Sequence, residues 1–404
     1  MRRLALPTLL SALFAAALAT SCSHEMPKPT EAALAEKATA EKAAADKLAQ
    51  QAAAKAAVDK AAAEQAAKEA AETAARDAAT ALHAAVAALP PAPPIPAPPA
   101  YLGAVAAPAE NPTTPEKVQL GWILFFDPRL SKDGSMSCES CHHIAQSYTS
   151  GMALDTKVGG KVNVRNAPAM VNLGYHQNGY YWDGRKATLE QVSEAAFTGQ
   201  LGADPAAISA KLNANPAYRA LFQRAFGAEA GKANISMALA SFLRALGSGN
   251  SPWDAFEGGD KKAVSKTAQK GFELFKKHGC TLCHAPPLYS DTQFHNTGRG
   301  WDAAKQAFAD HGRMDATKDL ADDGKFKTPS LREVAKTGPY FHDGATATLE
   351  EAIGWMAAGG VKNPRLDEKL KPAKLGKADK AAIKQFLESL SGTPTFGAPP
   401  TLPN

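Results

Sequence analysis

Two five-residue strings constrain this chain more than any other feature: Cys138-Glu139-Ser140-Cys141-His142 and Cys280-Thr281-Leu282-Cys283-His284. Both have the CxxCH pattern, in which two thiols form thioethers with the vinyl groups of a c-type haem and the adjoining histidine binds the iron from one side. Zinc knuckles or two disulfides would also use paired cysteines. Neither needs a histidine directly after each pair, and that arrangement occurs twice. Two covalently bound haem c groups are therefore expected, attached at Cys138 and Cys141 and at Cys280 and Cys283, with His142 and His284 as iron ligands. The chain has five cysteines, so Cys22 is left single and no pair remains for a disulfide.

The likeness extends beyond the strings. Before each lies a matching segment, with Gly121 and Phe125 set against Gly271 and Phe275. After each comes a second match: Tyr180 to Gly184 followed by Thr188-Leu189-Glu190, against Tyr340 to Gly344 followed by Thr348-Leu349-Glu350. Internal duplication of a one-haem unit is the simplest account. Apolar residues recur at helical spacing in Ile235, Leu239, Phe242 and Leu246 and again in Ile383, Phe386 and Leu390, and no convincing strand run appears. The expected fold is all-α: two cytochrome c-like haem domains, residues 108–258 and 259–397. Alignment of the copies puts Met356 opposite Ala196. A methionine thioether is a usual sixth ligand of c-type haem, whereas alanine cannot bind iron. The second haem is expected to be closed by His284 and Met356, and the first, on His142, to have an open face. A small oxidant, hydrogen peroxide, suits such a face. Trp182 takes the position of His342, either as a buried interface aromatic or as a carrier of charge between haems.

The first 21 residues, with Arg2 and Arg3 before an apolar run too short to span a membrane, read as a secretory signal. Cys22 then has two readings: lipidation, or an unmodified residue after cleavage at Ala19. Residues 22–107 read as a spacer. Between 32 and 88 there are 30 alanines among 57 residues, with Glu64, Lys68, Glu72 and Arg76 in an i,i+4 series of opposite charges. A helical stalk or a disordered low-complexity segment fits this composition, ending where Pro90 to Pro99 form a polyproline stretch. The formal charge of +5 comes with no dense basic run, so nucleic acid is not expected as a partner.

The haem strings, together with Asn166-Ala167-Pro168, Tyr181 to Arg185, Phe294 to Gly298 and Pro339 to Gly344, resemble the bacterial di-haem cytochrome c peroxidase family, which includes the MauG-type enzymes. The resemblance covers roughly residues 110–395. It implies that the N-terminal haem reduces hydrogen peroxide and that the C-terminal haem takes electrons from a small cytochrome c or cupredoxin. It also implies a calcium ion between the domains, held by the Asn166 side chain and the carbonyls of Thr337 and Pro339, with Trp182 between the haems and Met356 on the electron-transfer haem. A periplasmic enzyme is implied, anchored through Cys22 if that residue is lipidated, and a homodimer is compatible with it. MauG has tyrosine at the Met356 position, which favours the peroxidase branch.

Two positions depart from the family. The loop after the first CxxCH has no histidine beyond His143, so the peroxidatic iron is expected to be open as isolated; Met152 is a weak substitute ligand. The distal glutamate is replaced by Gln200, which can orient peroxide but cannot transfer its proton, and Glu194 and Asp204 are candidate replacements. A MauG-like oxidase acting on a partner protein and a non-catalytic di-haem carrier or sensor are the competing functions.

Overall fold

The computed structural model describes residues 28–99 and 101–403. The secretory signal and Cys22 lie outside the described residues. The alanine-rich segment is one helix, α1 (Glu31–Ala88), with no buried residue. At ~1.5 Å per residue its 58 residues extend about 87 Å. It is supported by alanine propensity and by i,i+4 pairs such as Lys37 with Glu41 at 3.9 Å and Lys60 with Glu64 at 3.8 Å. Leu89 and the prolines after it end the helix.

Among the described residues ten shorter α-helices follow: α2 (Pro115–Phe126), α3 (Leu189–Ala195), α4 (Pro205–Ala214), α5 (Pro216–Phe226), α6 (Lys232–Ala245), α7 (Pro252–Glu257), α8 (Lys266–Lys277), α9 (Met314–Thr317), α10 (Leu349–Ala357) and α11 (Lys377–Glu388). Their starts are written in the sequence. Proline occupies the first turn of α2, α4, α5 and α7, each after a Thr, Asp, Asn or Ser cap. Thr188 and Thr348 cap α3 and α10 in the same way, through the amides of Gln191 and Glu351.

Two hydrophobic cores result, one between Leu120 and Leu246 and the other between Trp253 and Leu390. Each is organised by a helix crossing. In the first, a Cβ on Gly121 of α2 would lie 1.9 Å from the Ala238 carbonyl oxygen of α6; in the second, a Cβ on Gly271 of α8 would lie 2.0 Å from the Ala382 oxygen of α11. Four residues after each glycine, Phe125 meets Phe242 at 5.2 Å and Phe275 meets Phe386 at 5.3 Å.

The fold is helix-rich, as expected, with a few very short strands that the sequence does not signal. Among the described residues there are three two-stranded antiparallel ladders: β1 (Ser248–Gly249) with β6 (Thr393–Pro394), β2 (Phe294–Asn296) with β5 (Lys325–Lys327), and β3 (Trp301–Asp302) with β4 (Ala307–Phe308). Strands of two or three residues are too short to write an alternating pattern, so no period could reveal them. The β1–β6 ladder brings the C-terminal tail back to the first core, where Phe396 packs on Trp122 and Phe242.

The glycine crossings give a test. Gly121→Ala or Gly271→Ala should destabilise the chain by about 3 kcal/mol or more, at the top of the overpacking range, because the atom met is a backbone oxygen that cannot rotate away. Thermal unfolding measures this, with Gly397→Ala, which meets nothing within 4 Å, as the neutral control.

Candidate functional site

Each CxxCH string begins in a 3-10 turn, Cys138–Ser140 or Cys280–Leu282, and the four cysteines are free. Burial pushes the Cys138 thiol up to about 12 and those of Cys141 and Cys280 to about 11. The two histidines are held alike. His142 Nδ1 is 2.8 Å from the Tyr148 carbonyl, and His284 Nδ1 is 2.9 Å from that of Tyr289. A carbonyl only accepts, so Nδ1 carries the proton and Nε2 keeps its lone pair for a metal. Burial lowers His142 to about 4 and lowers His284 as well, which favours the neutral, ligating form. Both tyrosines have positive φ, 62° and 53°, a strained geometry that aims each carbonyl at its ring. Phe125 and Phe275 lie 6.4 and 6.3 Å from the two imidazoles.

Around the second string is a large, mainly apolar cavity. Cys280, Cys283, His284 and Met356 all line it, with Phe275, Leu349 and Ile353 among its apolar walls and Arg299, Lys369 and Lys371 among its cations. Trp182, from the first half of the chain, lines the same cavity. Its Nε1 donates to the Asn166 carbonyl at 2.9 Å, and the Asn166 amide donates to the His342 carbonyl at 2.7 Å. His342 stacks on Phe326, burial holds its ring neutral with a value lowered to about 4, and Arg165 covers the other ring. Arg165 binds Asp310 with two bonds of 2.7 Å and Asp183 with one of 2.6 Å. Lys327 donates its backbone amide to the Trp182 carbonyl at 2.8 Å, and burial lowers its ammonium to about 8. Both ends of Trp182 are thereby fixed.

Asn166 is buried, and its Nδ2 donates to the carbonyls of Met152 (2.8 Å) and Ala153 (3.3 Å). That leaves its Oδ1 as the free ligand end, the atom a hard cation would need. Thr337 and Pro339 are half-buried on the loop that follows Val334–Lys336.

On the His142 side, the proposed replacements for the missing glutamate are committed elsewhere. Glu194 pairs with Lys232 at 3.0 Å on the surface, and Asp204 caps α4 by accepting from the Ala207 amide at 2.8 Å. Met152 is 60% exposed, and His143 pairs with Glu139 at 3.1 Å. Gln200 closes a π-helical turn, Ala196–Gln200, that directly follows α3. Ala196 opens that turn, while Met356 remains within α10.

Several residues escaped the sequence reading. Glu333 is wholly buried, and no neighbouring motif marks it. Arg165 was detectable, because it directly precedes Asn166 in a recognised string. Among the described residues, Cys283, Asp291 and His295 bring three metal-ligating atoms within 4.8 Å. His295 points both nitrogens at carboxylates, Nδ1 to Asp367 at 2.6 Å and Nε2 to Asp291 at 2.8 Å, so it has no lone pair to offer a cation. The Cys283 sulfur, followed by the two aspartates, raises it to about 10.

Residues 115–262 match the di-haem cytochrome c peroxidase family model, and residues 287–390 match that of di-haem oxidoreductases described as putative peroxidases. The cytochrome-c peroxidase IdrP1 of Denitromonas iodatirespirans is 38% identical over 331 residues, covering 74% of this chain and 88% of that protein. The chain belongs to the di-haem cytochrome c peroxidase family. The methylamine utilization protein MauG of Methylorubrum extorquens is 36% identical over 306 residues, covering 74% of this chain and 85% of that protein. A crystal structure of a MauG-like protein associated with microbial copper homeostasis has a TM-score of 0.68 at 32% identity, covering 75% of this chain and 96% of that one. The fold is shared with the di-haem peroxidase BthA from Burkholderia thailandensis, at a TM-score of 0.59, 19% identity and coverage of 72% and 92%.

As a peroxidase-like oxidoreductase of this family the chain carries two haems, and its residues fit them. The thiols are free, each imidazole has an available Nε2, and the His284 cavity combines apolar walls with a cationic rim suited to propionates. Replacing Cys138 and Cys141 by serine should leave one covalently bound haem, as should the same change at Cys280 and Cys283. Intact mass and pyridine haemochrome content check this, and retention of two covalent haems in either variant would contradict the attachment sites.

Proposed function

We propose that this protein reduces hydrogen peroxide at the His142 site with electrons that enter through the His284 site. The observation that carries this reading is an asymmetry: Met356 lines the cavity of His284, whereas its counterpart in the first half is Ala196, which has no ligand atom. A bound haem supplies redox chemistry for H2O2 + 2 H+ + 2 e− → 2 H2O. The chain provides the rest. His142 and His284, each oriented through Nδ1, would hold the two haem irons. Met356 would occupy the second site and keep peroxide from it, which would leave the first site for substrate. Trp182, fixed at ring and backbone, is the conductor between the sites.

The finer features belong to the same proposal. The halves are copies of one cytochrome c-like unit, residues 108–258 and 259–397, a reading supported by the paired crossings at Gly121 and Gly271 and the paired histidine-to-carbonyl bonds. The helix α1 is the core of a spacer formed by residues 22–107. Calcium is bound by Asn166, Thr337 and Pro339, in keeping with the free Oδ1 of Asn166. The protein acts in the periplasm, held by a lipid on Cys22, with a small cytochrome c or cupredoxin as donor. Among the described residues no helix is long and apolar enough to cross a membrane.

Gln200 favours a second reading. With Glu194 and Asp204 engaged elsewhere, no carboxylate is assigned to move a proton from peroxide, and general acid-base help is worth about 10² to 10⁴ in rate. Slow turnover would suit a MauG-like role in oxidising a partner protein. Mixing the loaded protein with reduced cytochrome c and peroxide separates these functions: rapid cytochrome oxidation supports the peroxidase, a long-lived oxidised spectrum supports the partner oxidase, and no response to peroxide supports a plain carrier or sensor.

Gln200→Glu should raise peroxide turnover by about 10²-fold, the low end of general acid-base assistance, and an unchanged rate would remove Gln200 from the distal pocket. The EPR spectrum of the oxidised protein should contain one high-spin and one low-spin haem. Met356→Leu should convert the low-spin signal alone; two low-spin signals in the unaltered protein would rule out an open first site.

A further inference from the structure

A chain of hydrogen bonds that does not involve Trp182 runs from the wall of the His284 cavity to the turn that holds His142. Leu331 and Val334 line the cavity of His284. Between them, Arg332 is anchored to Asp254 by bonds of 2.9 and 3.0 Å, and Glu333 turns away from the cavity with a φ of 66°. Its carboxylate is wholly buried. Oε1 accepts from the Ser248 hydroxyl at 2.6 Å and from the Gly392 amide; Oε2 accepts from Lys336 at 2.8 Å and from the Ser147 hydroxyl at 3.0 Å.

Ser147 is the telling partner. It is 1% exposed, lies 186 positions away in the chain, and directly precedes Tyr148, whose carbonyl orients His142. Ser147 and Tyr148 both have positive φ, 52° and 62°. A strained pair of this kind persists only where its surroundings hold it. The Tyr148 hydroxyl is held too, donating to the Phe396 carbonyl at 2.6 Å, and Phe396 belongs to the tail that leaves the second half. The turn that positions the first imidazole is thus fastened on two sides by residues of the other half.

We infer that Glu333 is a positioning residue that couples the wall of the His284 cavity, through Ser147 and Tyr148, to the orientation of His142. The inference rests on the reading of His142 and His284 as ligands of the two haems. A carbonyl accepting from Nδ1 makes the imidazole a stronger donor to its metal. A displacement of Leu331 or Val334 when the second site changes state is passed to that bond by the intervening buried carboxylate.

The test uses the full-length protein with both haems. Glu333→Gln and Ser147→Ala should each raise the midpoint potential of the His142 haem, since a slackened Tyr148 carbonyl weakens the donor. The His284 haem should keep its potential, and the double variant should add nothing to the larger single shift. Ser248→Ala removes another Glu333 contact, one that does not lead to Tyr148, and should lower thermal stability while leaving both potentials in place. The coupling is overturned if Glu333→Gln and Ser147→Ala leave the first potential unchanged, or if Ser248→Ala shifts it equally. If Glu333→Gln does not fold, Ser147→Ala decides alone. A His142→Met protein with an unaltered first-haem spectrum would overturn the ligand assignment itself, an outcome distinct from failure of the coupling.

Discussion

The contact on which both sites depend is the approach of two helix backbones at a residue without a side chain. Where α2 crosses α6 and α8 crosses α11, Gly121 and Gly271 lie directly against the carbonyls of Ala238 and Ala382. That closeness lets Phe125 and Phe275, one turn later, pack in tilted contact with Phe242 and Phe386 and still reach the imidazoles of His142 and His284. The helix axes, the aromatic wall and the imidazole are then parts of one packed unit. A larger residue at either glycine would separate the helices and move the wall away from its histidine.

Much of this was legible because it is local or repeated. The CxxCH strings, the glycine four residues before a phenylalanine and the threonine caps of α3 and α10 each leave a mark at fixed spacing. Comparing the halves singled out Met356, and the cavity brings it together with His284. Three kinds of feature were not legible. Ladders of two or three residues have no period. Single polar partners across long separations, such as Arg165 with Asp310 or Ser147 with Glu333, leave no pattern in the chain. Nearness in sequence also misled: Glu194 and Asp204 are close to Gln200 but are drawn to a surface lysine and a helix N-terminus. For Asp204 the signal was present, since an aspartate directly before Pro205 is a common helix start.

The halves are fastened by buried charge as well as apolar surface. Arg165, Asp183 and Asp310 form one network across the halves and Glu333 with its four partners another, while Arg332 and Asp254 pair within the span of the second core. Burying an ion is costly unless its partners are close and its remaining hydrogen-bonding capacity is filled, and each of these groups meets that condition with multiple bonds. Such networks tolerate only one arrangement of the halves. A slipped interface would leave a charge buried and unpaired, so the polar layer selects a single docking in a way that hydrophobic contact alone does not.

The remaining asymmetry lies in how two similarly capped helices end. From Thr348, α10 runs regularly to Ala357 and keeps Met356 in its last turn, lining the cavity. From Thr188, α3 stops at Ala195 and the chain widens into a π turn that runs from Ala196 to Gln200. A π turn rotates every residue beyond it relative to a regular helix, and such turns gather at functional sites. The first half therefore differs from the second in two linked ways: alanine stands where the second half has methionine, and the wider turn redirects the chain beyond it. The π turn changes the direction in which the chain leaves the helix, and Gln200 is the residue at its end.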